Sequence, residues 1–176
     1  MDNFEKLYNK ALRFLSFRPR SEKEIRNYLI KKIKNKKLNI KNELENEKSI
    51  ETTIDSIISK LKEQKFINDK EFVRWWIEQR TIIKPKAARL IKFELKQKGI
   101  SDELIENSEL RIKNDLEKAF DLAQKRMSRY KNEEPKRIYE KLGRFLAAKG
   151  FDYDLIKEVI DQVLSKEYNK QKTKKG

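Results

Sequence analysis

Apolar residues along this chain recur three and four positions apart, with charged residues filling the gaps. Ile25 and Leu29 are four apart, and Ile54, Ile57, Ile58 and Leu61 form one stripe. Leu155, Ile156, Val159, Ile160, Val163 and Leu164 form another. This spacing puts apolar side chains on one face of a helix. No run alternates apolar and polar residues between turn residues, and neither Asn-Gly nor Asp-Gly occurs, so strands are not expected. The first expected helix runs from about Phe4 to Phe17. The second starts at a Ser21 cap with Glu24 three residues on, a capping box, and the third carries the Ile54 stripe. Further along, Phe72, Trp75 and Trp76 mark one helix and Leu90, Ile91 and Leu95 the next. A short helix is expected over Asp102 to Glu109. Leu116, Ala119, Phe120, Ala123 and Met127 then mark a helix ahead of the final stripe. Trp75 and Trp76 are adjacent, so one is expected in a core and the other at an edge or seam.

The three prolines, Pro19, Pro85 and Pro135, each fall between two helical patterns, where proline is tolerated at or before a new first turn. Leu29 and Leu95 stand ten residues after the first two, and Leu146 eleven after the third. From there the second and third copies run in register. Leu95-Lys96-Gln97-Lys98-Gly99-Ile100 matches Leu146-Ala147-Ala148-Lys149-Gly150-Phe151, and Leu104-Ile105 matches Leu155-Ile156. Gly99 and Gly150 are expected just past a helix C-terminus in the left-handed conformation, followed by an apolar residue that folds back. Ser101 and Asp152 are expected to cap the next helices.

The fold class expected is therefore all-α: three tandem three-helix, helix-turn-helix-like repeats. The modules are placed at residues 1–66, 67–110 and 111–168, with a polar insert at 35–49 and a basic, unstructured tail at 169–176.

Charge changes the picture most. The formal net charge is +15 over 176 residues, which draws a protein toward polyanions, nucleic acid above all. Lysine, asparagine and isoleucine would also rise under an AT-rich coding bias, but that bias does not explain the shortage of acids. Residues 1–48 hold fourteen Lys and Arg against seven acids, 49–110 twelve against eleven, and 111–176 eighteen against eleven, so the two ends carry the positive charge. The densest folded stretch is Arg18, Arg20, Lys23, Arg26, Lys31, Lys32 and Lys34, offset within it only by Glu22 and Glu24. It is read as an exposed surface that faces phosphates or acids. A second cluster is Lys125, Arg126, Arg129 and Lys131, for which a solvated helix end is an equal reading.

Catalytic chemistry has little to work with. There is no histidine, no cysteine and no glycine-rich phosphate loop. Asp152-x-Asp154 could be taken for a magnesium pair, but acids opening a helix cap it and complement its dipole. No enzyme activity, cofactor or metal is expected. Without cysteines, an apolar leader or a membrane-length apolar run, a cytoplasmic protein is expected.

Four stretches, in order, resemble the RecX family. Ala11 to Arg26, centred on Arg18-Pro19-Arg20-Ser21, resembles its opening pattern. Phe66-Ile67-Asn68-Asp69 through Trp76 resembles its Ile-Asp-Asp-x-x-Phe-Ala segment. Ala88 to Ile100 resembles its Arg-Leu-x-x-Glu-Leu-x-x-Lys-Gly-Ile segment, and Phe145 to Tyr153 its closing Phe-Leu-x-x-Arg-Gly-Phe-x-Tyr. Lys84 and Asn68 depart from the family's usual Gly and Asp. The resemblance implies an elongated, curved array of three modules, a monomer lying along the groove of the RecA–DNA filament. It would touch RecA and the DNA backbone and restrain strand exchange, ATPase and coprotease activity in homologous recombination, DNA repair and the SOS response. The alternative from the residues alone is a stand-alone DNA-binding helical protein of low sequence specificity; a scaffold whose charge reflects codon bias is a third.

Overall fold

A computed structural model of the chain describes residues 3–34, 47–108, 115–130 and 133–173. Among these, nine α-helices and no strand are present. They are α1 (Asn3–Leu15), α2 (Glu22–Lys34), α3 (Glu47–Glu63), α4 (Asp69–Glu78), α5 (Ala88–Gln97), α6 (Asp102–Glu106), α7 (Asp115–Met127), α8 (Pro135–Ala148) and α9 (Tyr153–Thr173). A π-helical turn, Gln79–Ile83, follows α4, and a 3-10 turn, Ser128–Tyr130, follows α7.

Contacts group the chain into two compact units. One is Met1–Trp76 with Leu95–Ser108; the other is Ile77–Glu94 with Glu109–Gly176. In the first, the i, i+4 series Ile25, Leu29 and Ile33 of α2 packs with Leu7 and Ala11 of α1 and with Ile54, Ile57, Ile58 and Leu61 of α3. In the second, Ala119, Ala123 and Met127 of α7 meet Ile138, Leu142 and Leu146 of α8 and Ile156, Val159, Ile160 and Val163 of α9. Each fully buried Ile or Leu contributes roughly 1.5–3 kcal/mol of transfer free energy, so these stripes, not intrinsic propensity, hold the helices in place.

The helix ends follow the residues. Ser21 and Glu24 form the expected capping box: the Glu24 N–H donates to Ser21 Oγ at 3.3 Å, and the Ser21 N–H to Glu24 Oε2 at 3.4 Å. Ser101 Oγ accepts from the Leu104 N–H. Gly99 and Gly150 have φ of +82° and +87°. Behind them the N–H of Ile100 reaches Leu95 O at 3.1 Å and that of Phe151 reaches Leu146 O at 3.3 Å, closing both helices in the same way. α3 ends likewise, with the Phe66 N–H on Leu61 O at 2.8 Å, but there the left-handed residue is Lys65, at φ 60°.

The glycine ends of α5 and α8 each meet the start of an earlier helix. In the first unit, Ser21 Oγ donates to Lys98 O at 2.7 Å, and a Cβ on Gly99 would lie 2.7 Å from Lys23 Cβ. In the second, the Ala87 N–H donates to Lys149 O at 3.0 Å, and a Cβ on Gly150 would lie 2.6 Å from Leu90 Cβ. Ser21 and Ala87 both stand two residues after a proline, and Lys98 and Lys149 both precede a glycine. The repeat read in the sequence is thus a repeat of joints, helix C-terminus onto helix N-terminus, with the two backbone dipoles aligned favourably.

Three expectations are corrected. Leu116 was placed with the apolar face of α7, but it is exposed, and the buried residue of that turn is Asp115. Its carboxylate accepts the Ala88 N–H at 2.9 Å, capping α5, so the first turn of α7 faces inward with a polar group. The tail expected to be unstructured from 169 continues α9 to Thr173. A packed helix extends at one hydrogen bond per residue through good helix formers such as Lys and Gln. Glu47–Ser49, taken as part of the insert, opens α3; residues 35–46 lie outside the described residues.

Candidate functional site

The stretch Arg18 to Lys34 spans the α1–α2 turn and all of α2. Its cations divide into two kinds. Arg18 Nη2 pairs with Glu24 Oε1 at 2.8 Å, and its guanidinium lies 5.5 Å from the Trp75 ring centre and 5.9 Å from that of Trp76. Arg26 pairs with Glu22 at 2.7 Å and with Asp55 of α3 at 2.5 Å. Arg20 sits 3.8 Å over the Phe14 ring, which stacks on Tyr28 with centroids 4.1 Å apart, and Lys32 Nζ lies 5.2 Å from the Tyr28 ring centre. These four are half-buried. They knit α1, α2, α3 and α4 together, so the expectation that the whole stretch is freely exposed does not hold. Acids supplied by α2 itself and by α3 draw the arginines inward.

Lys23, Lys31 and Lys34 are exposed and have no ion pair among the described residues. At 100° per residue they share one face of α2 with the exposed Asn27 and Ile30, over about 16 Å of helix. This row is the exposed part of the stretch.

Each acid of the α2 start clamps two cations. Glu24 accepts from Arg18 and from Lys98 Nζ at 2.7 Å; Glu22 pairs with Arg26 and with Lys62 Nζ at 2.5 Å. Burial alone would raise both carboxyls, but hydrogen bonds and charge from these partners prevail and hold them below the usual glutamate value. Asp69 behaves oppositely. Burial raises it, although it accepts the Glu22 N–H at 3.0 Å.

In the second cluster, Arg126 lies 4.5 Å over Phe145 and its Nε donates to Tyr130 Oη at 3.1 Å. Lys125 and Arg129 are exposed, and Lys131 lies outside the described residues. The first cluster belongs to the first unit and the second to the second unit. Trp76 is buried and Trp75 half-buried beside Phe72, as their adjacency requires.

Sequence reading missed three groups that position these surfaces. Asp115 caps α5 from α7. Lys98 reaches Glu24 and lies 5.2 Å from the Trp76 ring. Arg89 donates to Gly150 O and Phe151 O and pairs with Asp152 at 2.6 Å, so that acid stands before α9 with a cation against it. Among the described residues no group of three potential ligands could hold a metal ion, and no helix is long and apolar enough to cross a membrane.

Comparison with known proteins covers the same ground. Residues 8–33, 68–108 and 114–160 match the families described as the first, second and third three-helix domains of RecX. A protein of Clostridium tetani named "Regulatory protein RecX" is 34% identical over 167 residues, covering 93% of this chain and 69% of its own. A namesake in Streptococcus uberis is 38% identical over 154 residues, covering 86% of this chain and 53% of its own. One in Bacillus pumilus is 32% identical over 176 residues, covering 99% and 60%. The chain thus spans between half and three-fifths of the length of the last two. A solved structure described as RecX from Lactobacillus salivarius superposes with a TM-score of 0.64 at 28% identity, covering 91% of this chain and 96% of that one.

Proposed function

The chain belongs to the RecX family, and from that premise we propose that it is a regulatory protein that binds the RecA–DNA filament and restrains it. Restraint would extend to strand exchange and to the filament's ATPase and coprotease activities, with no catalysis by this chain. On this reading its modules divide at 1–66, 67–110 and 111–168, and it works as a cytoplasmic monomer.

The observation that carries the surface assignment is the row of Lys23, Lys31 and Lys34 on one face of α2. Three ammonium groups with no ion pair among the described residues, on one helix, suit phosphate oxygens or carboxylates without sequence readout. Lys125 and Arg129 supply a second exposed pair. The half-buried Arg18, Arg20, Arg26 and Lys32 act by holding that helix in place.

The test is the triple variant Lys23→Glu, Lys31→Glu, Lys34→Glu, titrated against RecA–DNA filaments and bare DNA over a salt series. Filament affinity should fall, and each lost phosphate contact should flatten the log–log salt slope by about one. Reversing Arg18 and Arg26 instead should lower thermal stability. Unchanged inhibition of RecA by the folded triple variant would remove this face from the mechanism. Equal binding to bare DNA and to filaments would favour the stand-alone DNA-binding alternative.

A further inference from the structure

The turn between α1 and α2 and the turn between α3 and α4 wall a groove of about 610 Å³ within the first unit. Its apolar side is formed by Leu12, Leu15, Phe66 and Phe72. Phe66 is 51% exposed, and Phe17, on the neighbouring turn, is 75% exposed. A large aromatic such as Phe66 left in water beside a groove marks a contact surface more than a solvated turn does.

The polar side is less usual. Arg18 is committed to Glu24, Ser16 Oγ donates to Arg13 O, and Asn68 Oδ1 accepts the N–H groups of Lys70 and Glu71. Arg20 is different. It is half-buried, its Nε is sealed from solvent without an acceptor, and its guanidinium lies over the Phe14 ring. Desolvation, and then the neighbouring Arg18, lower its pKa, against a smaller opposing pull from Glu24. A guanidinium taken partly out of water with no carboxylate bonded to it is costly, and a carboxylate from outside would relieve that. Lys65, also lining the groove, holds a left-handed backbone at φ 60°, a strained conformation for lysine.

We propose that this groove docks an acidic peptide segment of a protein partner, its carboxylate against Arg20 and an adjacent apolar side chain against Phe66. A nucleic acid suits it less well. The apolar side of Leu12, Leu15, Phe66 and Phe72 offers a chain of phosphates no counter-charge, and the Ser16 hydroxyl already donates to its own backbone. The inference stands apart from the filament reading and does not depend on it.

The probe is a fluorescein-labelled peptide, Ala-Asp-Leu-Phe-Asp-Ala, blocked at both ends and followed by anisotropy with the full chain. Saturable binding is expected. It should weaken about ten-fold or more when the two Asp become Asn, when Leu and Phe become Ala, and in Arg20→Gln or Phe66→Ser, the worth of one charged hydrogen bond or one anchor. Phe66→Ser changes an exposed side chain, so it decides the matter if Arg20→Gln fails to fold. No saturation, equal binding of the Asn peptide, or unchanged binding by both Arg20→Gln and Phe66→Ser overturns the proposal. So does a fifteen-residue oligothymidine that binds with the same variant dependence, or a concentration-dependent dimer, seen by sedimentation, that Phe66→Ser abolishes.

Discussion

The hydroxyl of Ser21 donates to the carbonyl oxygen of Lys98 at 2.7 Å, across 77 residues of chain. Ser21 Oγ also accepts the Glu24 N–H, so one side chain of a fully buried residue both caps α2 and fastens α5 to it. Ser21→Ala removes both bonds and leaves the Lys98 carbonyl short of a partner. A loss of about 1.5–3 kcal/mol is expected, against about 1 kcal/mol for Ser101→Ala, whose described role is a cap alone. Urea unfolding of the two variants checks the difference.

The glycines separate by conformation. Gly99→Ala and Gly150→Ala put a Cβ at positive φ and within 2.7 Å of a neighbouring side chain, so each should destabilise by about 2 kcal/mol or more. Gly143 lies inside α8, and its Cβ would meet nothing closer than Ile160 Cδ1 at 3.9 Å. Gly143→Ala should therefore stabilise, by about 0.5–1 kcal/mol. Thermal melts of the three single variants give the sign of each.

Lys65 shows the converse. It holds at φ 60° the place that Gly99 and Gly150 hold elsewhere. Lys65→Gly should raise stability by up to about 1 kcal/mol, relief of left-handed strain exceeding the extra chain entropy. A lower denaturation midpoint in this variant would show that the lysine side chain stabilises the turn by more than its backbone costs.

Acid should weaken the fold through three glutamates. Glu22, Glu24 and Glu94 are each raised by burial but lowered further by their cationic partners, Glu94 by Lys86 and Arg80. A carboxyl whose folded value is depressed binds fewer protons folded than unfolded. Its contribution is complete above the ordinary glutamate value of 4.5 and is lost as pH falls through the lower folded value. Asp69, raised by burial, works the other way and offsets part of this. Melting temperature should thus decline below about pH 4.5, and less steeply in Glu24→Gln, which has one fewer such group to protonate.

Much of this was legible in the chain. The helices, the prolines at their junctions, the Ser21 cap and the C-terminal glycines follow from local spacing, because each depends on residues within one or two turns. What spacing does not carry is which distant group answers a cap or a charge. Asp115 reads as an ordinary first-turn acid, and nothing near it in sequence names Ala88 as its partner. Arg18 and Arg26 count as surface charge until α3 and α4 bring Asp55 and the tryptophan rings beside them. The lysine row was inside the stretch that charge density singled out, but density could not separate it from the arginines that brace it.

The two tryptophans, the only ones in the chain, lie 5.9 Å apart and both belong to the first unit. Intrinsic tryptophan fluorescence therefore reports on that unit directly, while far-ultraviolet circular dichroism samples helices of both. An unfolding curve followed by emission alone would miss a separate transition in the second unit. Superimposable curves from the two probes would instead mark a single cooperative transition.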